Sequence, residues 1–140
     1  MPAYSTRCYT FSMRRIFRTR TFTRWMKKAP LNDQALASAI AEMASGLVDA
    51  DLGGAIVKKR VALPGQGKRG GARTIVATRM SDRWIFLYGF AKNERSNIGK
   101  DELRALQEVA NDLLELDAEQ LEIAILKGEL TEVCNGNEDT

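Results

Sequence analysis

Residues 56–63 read Ile-Val-Lys-Lys-Arg-Val-Ala-Leu, residues 74–80 read Thr-Ile-Val-Ala-Thr-Arg-Met, and residues 84–91 read Trp-Ile-Phe-Leu-Tyr-Gly-Phe-Ala. β-Branched and aromatic residues dominate all three runs, which are separated by a glycine-rich connection (residues 64–71) and a Ser81-Asp82 turn. Strands joined by such short connections predict an antiparallel meander. The first run alternates, with Val57, Val61 and Leu63 on one face and Lys58 and Arg60 on the other. Two cations on one strand face stand about 6.5–7 Å apart, close to the spacing of phosphates along RNA. A solvated edge strand would carry the same residues. Arg73 and Arg79 share a parity on the next strand and extend the patch. Trp84, Phe86, Tyr88 and Phe90 alternate along the third run, where a strand buried under helices competes with a base-stacking surface.

Upstream, residues 16–21 alternate as a short strand, and a short helix over residues 22–28 is stopped by Pro30. Asn32 and Asp33 offer an N-cap to a helix carrying Leu36, Ile40, Met43 and Leu47 at helical spacing, with Gly46 as its C-cap. Residues 49–54 read as a loop. Downstream, Leu103, Leu106, Val109, Ala110, Leu113 and Leu114 trace a helical face. Asp117 with Gln120 forms a capping box for a last helix that Gly128 ends. The predicted order is β-α-α-β-β-β-α-α. It describes a small α+β domain with a mostly antiparallel sheet and helices packed on one face, spanning residues 13–134 between loose tails at 1–12 and 135–140.

Composition narrows the chemistry. At 140 residues and 44% hydrophobic, the chain suffices for one cored domain, and no 18-residue apolar run suggests a membrane span. The acid-free, Arg-rich start mimics a mitochondrial leader, but a cytosolic protein is the plainer reading. Cys8 and Cys134 lie far apart and have no metal-ligand spacing, so reduced thiols are expected. The chain has no histidine, which removes the commonest general base and zinc ligand. Any catalysis falls to Lys, Arg, carboxylates, Tyr or Ser. Residues 56–95 hold ten cations against two acids, whereas residues 96–140 hold three against twelve. Such segregation predicts one surface suited to polyanions and one that is not. The glycine-rich connection departs from a phosphate-binding GxxxxGK[ST] loop, with Arg69 after Gly67-Lys68 and Ala62 in place of the first glycine. It reads as a mobile basic hairpin tip, whose Lys68 and Arg69 suit unspecific backbone contacts.

Four stretches resemble the RelE-type toxins of bacterial toxin–antitoxin pairs, particularly the HigB-like, phage-associated branch. They are residues 46–54 (GLVDADLGG), Lys58-Lys59-Arg60-Val61-Ala62, Gly65-Gln66-Gly67-Lys68-Arg69-Gly70-Gly71-x-Arg73, and Tyr88-Gly89-Phe90-Ala91-Lys92-Asn93-Glu94-Arg95. The closing Gly128-Glu129-Leu130-x-Glu132-Val133 fits the same branch. The resemblance implies a ribosome-dependent, metal-free endoribonuclease that uses no cofactor, together with a cognate antitoxin, in many cases a small helix-turn-helix protein. By this resemblance Lys58, or secondarily Glu94, deprotonates the ribose 2′-hydroxyl, with Arg60 and Lys59 crowding Lys58 toward the neutral amine. Arg60 and Arg73 steady the phosphorane, and Lys92 protonates the leaving 5′-oxygen. Lys59, Lys68, Arg69, Arg79, Tyr88, Asn93 and Arg95 would hold RNA. A regular strand places Asn93 rather than Lys92 on the Lys58 face, and no tyrosine follows Tyr88, although some relatives have one near the C-terminus. A gyrase-poisoning ParE-like toxin and a non-catalytic RNA-binding regulator are the rival readings.

Overall fold

The computed structural model describes residues 14–63, 67–79, 82–92, 94 and 97–133, and for residues 67–70 the backbone alone. The expected tails at 1–12 and 135–140, and both cysteines, lie outside these residues. β1 (Arg15–Thr19) is followed at once by α1 (Arg20–Met26), two residues before the predicted helix start. Thr19 causes the early turn. Its hydroxyl accepts the Phe22 N–H at 3.1 Å and donates to the Leu87 carbonyl at 3.1 Å. α2 (Asp33–Ala44) starts as expected, with Asn32 accepting the Ala35 N–H at 2.9 Å. It stops short of Gly46, whose φ of 105° suits glycine.

The predicted loop at 49–54 contains a short strand, β2 (Ala50–Gly53), which pairs with β3 (Ile56–Leu63). β4 (Gly67–Thr78) takes in Gly67 to Gly71, so this part of the supposed mobile hairpin tip is strand; residues 64–66 lie outside the described residues. β5 (Arg83–Ala91) completes the meander. α3 (Lys100–Leu114) and α4 (Ala118–Leu126) follow. The Asp117–Gln120 box forms in both directions, at 2.8 and 2.9 Å. β6 (Leu130–Glu132), absent from the predicted order, closes the described chain. The sheet runs β2-β3-β4-β5-β1-β6, with β1 parallel to β5 and β6 antiparallel on β1. No described helix is long and apolar enough to cross a membrane.

Helices cover both faces of the sheet, not one as expected. Neighbouring residues of β3 show why: Ile56 packs with Ile75, Ile85, Ala110, Leu114 and Leu121 under α3 and α4. Val57 packs with Phe22, Leu36, Ile40, Val76 and Phe86 under α1 and α2. A strand apolar on both sides must be buried on both sides.

β5 carries one irregularity. Ile75 pairs with Tyr88 but Val76 pairs with Phe86, which leaves Leu87 as an extra residue. The bulge reverses the parity of the strand. Trp84 and Phe86 belong to the α1/α2 core, whereas Phe90 and Tyr88 pack with the α3/α4 core. A buried cation also finds partners. Arg83 donates through Nη1 to the carbonyls of Leu113, Leu114 and Leu116 at 2.8–3.2 Å and so caps the end of α3.

Gly89 lies beneath the Trp25 ring of α1, and a Cβ there would come within 2.4–2.9 Å of three ring carbons. Gly89→Ala is therefore expected to destabilise the fold by about 1–3 kcal/mol through overpacking. Urea denaturation checks this; an unchanged midpoint would mean that Trp25 is not fixed there.

Candidate nucleic-acid interface

The register arranges the α3/α4 face of the meander in rows. Lys58, Ile75 and Tyr88 lie abreast in one row, and Arg60, Arg73 and Phe90 in the next. Strand spacing puts neighbours in a row about 5 Å apart and successive rows about 7 Å apart. Cations thus occupy β3 and β4, with rings beside them on β5. The Tyr88 and Phe90 centroids are 6.1 Å apart and tilted by 44°. Phe90 is buried, and Tyr88, Lys58 and Arg73 are half-buried. The wide cleft of about 370 Å³ around Gly54, Ile56 and Thr78 lies elsewhere, at the β2–β3 turn. Within the rows Arg60 is exposed, while Ile75 and Phe90 are buried between the cations and the α3/α4 core.

Arg60 and Arg73 are direct cross-strand partners on the same face. Like charges placed opposite one another cost stability, a cost that an anion beside the pair would offset. Each guanidinium is tethered. Arg73 Nη1 donates to the Gly71 carbonyl at 3.2 Å. Asp49 Oδ2 accepts the Arg60 backbone N–H at 2.6 Å, and Oδ1 accepts Arg60 Nε at 3.1 Å. Burial pushes the Asp49 carboxyl up, but the Arg60 N–H, its guanidinium and the nearby Lys59 charge outweigh that and hold it below its ordinary value. Asp49, in the stretch expected to be loop, went unrecognised. Its only sequence signal was an acid placed shortly before a cationic strand.

The Leu87 bulge gives Tyr88 and Phe90 the parity of Arg73, and the alternation ends with β5 at Ala91. Lys92 is exposed in the turn that follows, so neither the regular-strand count that favoured Asn93 nor the shifted one sets its direction. Asn93 and Arg95 lie outside the described residues, as do the side chains of Lys68 and Arg69, whose backbone is in β4. Glu94 is exposed and occupied at the strand's end, its Oε1 accepting the Ala91 N–H at 3.0 Å.

Two expected RNA contacts belong elsewhere. Lys59 is 3% exposed on the α1/α2 side, where Nζ meets Glu42 Oε1 at 2.7 Å and donates to the Leu47 carbonyl at 2.9 Å. Strand alternation turns it away from Lys58 and into a structural anchor for the end of α2. Arg79, just past the end of β4, stands six residues from Arg73, about 20 Å away. There it pairs with Asp82 at 3.2 Å and donates to the Leu114 carbonyl at 3.1 Å. Among the described residues, no group of three or more acidic or cysteine side chains is placed to hold a metal ion.

A family model described as the RelE toxin of the RelE/RelB toxin–antitoxin system matches residues 14–133. No curated protein matches the chain.

Lys59→Met is expected to leave affinity for single-stranded RNA within about twofold, whereas Lys58→Met makes the salt dependence of log K shallower by about 0.7. Equal effects in filter binding across a salt series would reject this division. Because the folded Asp49 carboxyl is depressed, its stabilisation is full above the ordinary value of 3.8 and disappears as pH falls through the lower folded value. Asp49→Asn should accordingly lower stability near neutrality and flatten its decline below about pH 4, as followed by denaturation across pH.

Proposed function

The chain belongs to the RelE toxin family, and from that premise we propose that it is a ribosome-dependent endoribonuclease that cuts messenger RNA and so halts translation. The observation carrying this reading is the cross-strand Arg60–Arg73 pair, with Lys58 in the adjacent row. RNA binding alone requires cations but not their convergence on one phosphate.

In the proposed reaction, the Lys58 amine takes the ribose 2′-hydroxyl proton. The 2′-oxygen bonds to the adjacent phosphorus, and the phosphorus–5′-oxygen bond breaks. Lys92 gives its proton to the departing 5′-oxygen, so the products are a 2′,3′-cyclic phosphate and a 5′-hydroxyl. Arg60 and Arg73 hold the oxygens on which charge grows, where planar guanidinium forks fit better than ammonium groups. Tyr88, half-buried in the Lys58 row, supplies a ring for a neighbouring base. With no histidine in the chain, we assign the acid and base roles to lysines.

Family membership implies a cognate antitoxin. We assign that role to a small helix-turn-helix protein that covers the cationic face, in a HigB-like, phage-associated pair acting in the cytoplasm. Association by this route weakens as salt rises.

Induced expression with mapping of message 5′ ends tests the proposal. Cuts at ribosomal A-site codons are expected, and Lys58→Ala or Arg73→Ala should reduce cutting about 10²–10³-fold while the protein stays folded. A DNA-damage response without cuts would point to gyrase poisoning, and RNA binding without either effect to a non-catalytic regulator.

A further inference from the structure

Resting on the reading of this face as an RNA-cleaving site, we propose that Asp49 is a positioning residue that clamps Arg60 for the scissile phosphate. Asp49 immediately precedes β2, and its own N–H donates to the Lys58 carbonyl at 3.1 Å, which fixes it beside the cationic strand. Its carboxylate then binds Arg60 at three points. Oδ2 takes the backbone N–H at 2.6 Å, and Oδ1 lies 3.1 Å from both Nε and Nη2. The backbone contact anchors the carboxylate, and the anchored carboxylate fixes the far end of the same residue's side chain.

The geometry leaves work for the clamped group. The clamp engages the Nε–Nη2 edge of the guanidinium and leaves Nη1 outside it, so a phosphoryl oxygen can be met without dismantling the clamp. Arg60 is otherwise a long side chain with 45% of its surface exposed, directly opposite another arginine. Unclamped, it would sample many rotamers; clamped, it is held on the β2 side of β3, with Arg73 across the opposite edge of the strand. A carboxylate near a phosphate also weakens binding of the substrate in its ground state. Clamping therefore favours turnover at the expense of affinity, and that combination separates positioning from a merely structural role.

The test uses the full chain with programmed ribosomes and a defined message. Asp49→Asn keeps an oxygen for the Arg60 N–H, and denaturation confirms that it folds. Its kcat should fall on the order of tenfold while KM stays level or drops. In an Arg60→Ala background the same substitution should cost nothing further. Unchanged or raised kcat with lower KM would overturn the proposal and make Asp49 a competitor for Arg60. An equal loss of kcat without Arg60 would overturn it too, since Asp49 would then act elsewhere. Full cleavage by Arg60→Ala alone would instead remove Arg60 from the site reading, an outcome distinguishable from both. Apart from activity, the Arg60 Nε–H should be ordered on the NMR timescale beside the exposed Arg24. Equal mobility of the two would reject the clamp even if Asp49→Asn failed to fold.

Discussion

The extra residue at Leu87 is the constraint on which the remaining arrangement depends. A regular β5 would place its four alternating aromatics on one face. The bulge divides them, so Trp84 and Phe86 fill the core under α1 and α2, and Tyr88 and Phe90 reach the opposite face beside Lys58, Arg60 and Arg73. Both sheet faces then acquire large rings without either face having too many. A bulge costs a ladder position, and here it re-aims Tyr88 and Phe90 to the face that carries the cationic rows.

Charge on this sheet is divided by alternation. Lys58, Lys59 and Arg60 are consecutive, yet the middle residue is a buried ion-paired anchor and its neighbours face the opposite side. Lys59 holds the end of α2 through Glu42 and the Leu47 carbonyl, while Arg83 holds the end of α3 through three carbonyls. Removing one partner from such a buried set leaves a charge or an orphaned polar group in a place of low polarity. These cations belong to the scaffold, whatever net charge suggests.

The meander, the caps at Asn32 and Asp117, and the cationic parity of Lys58 and Arg60 were legible because each depends on local sequence. What escaped was non-local. β2 is four residues long and contains a glycine, and it exists because β3 offers an edge. β6 is three residues long and depends on β1. The bulge leaves no composition signal, so the division of the β5 aromatics between two faces went unread. Lys59 was assigned to RNA because a charged residue in a basic run reads as exposed, and Glu42 lies 17 positions earlier on another element. Part of the Tyr88-Gly89-Phe90 motif has a packing origin, since Gly89 yields to the Trp25 ring.

The partners of β1 have a consequence for synthesis. The cationic rows lie on a hairpin meander whose strands follow one another closely along the chain. β1, by contrast, waits for Arg83–Phe86 on one side and for Leu130–Glu132 on the other. Pairings of such high contact order carry a large loop-closure cost and form late. During vectorial translation, the cationic surface can assemble while β1 still shows an unpaired edge. The Arg15–Glu132 ion pair at 2.9 Å then joins the two ends of the described chain as β6 emerges. β6 thus acts as a fastener, and the outer edge of β1 is covered only once Leu130–Glu132 have been made.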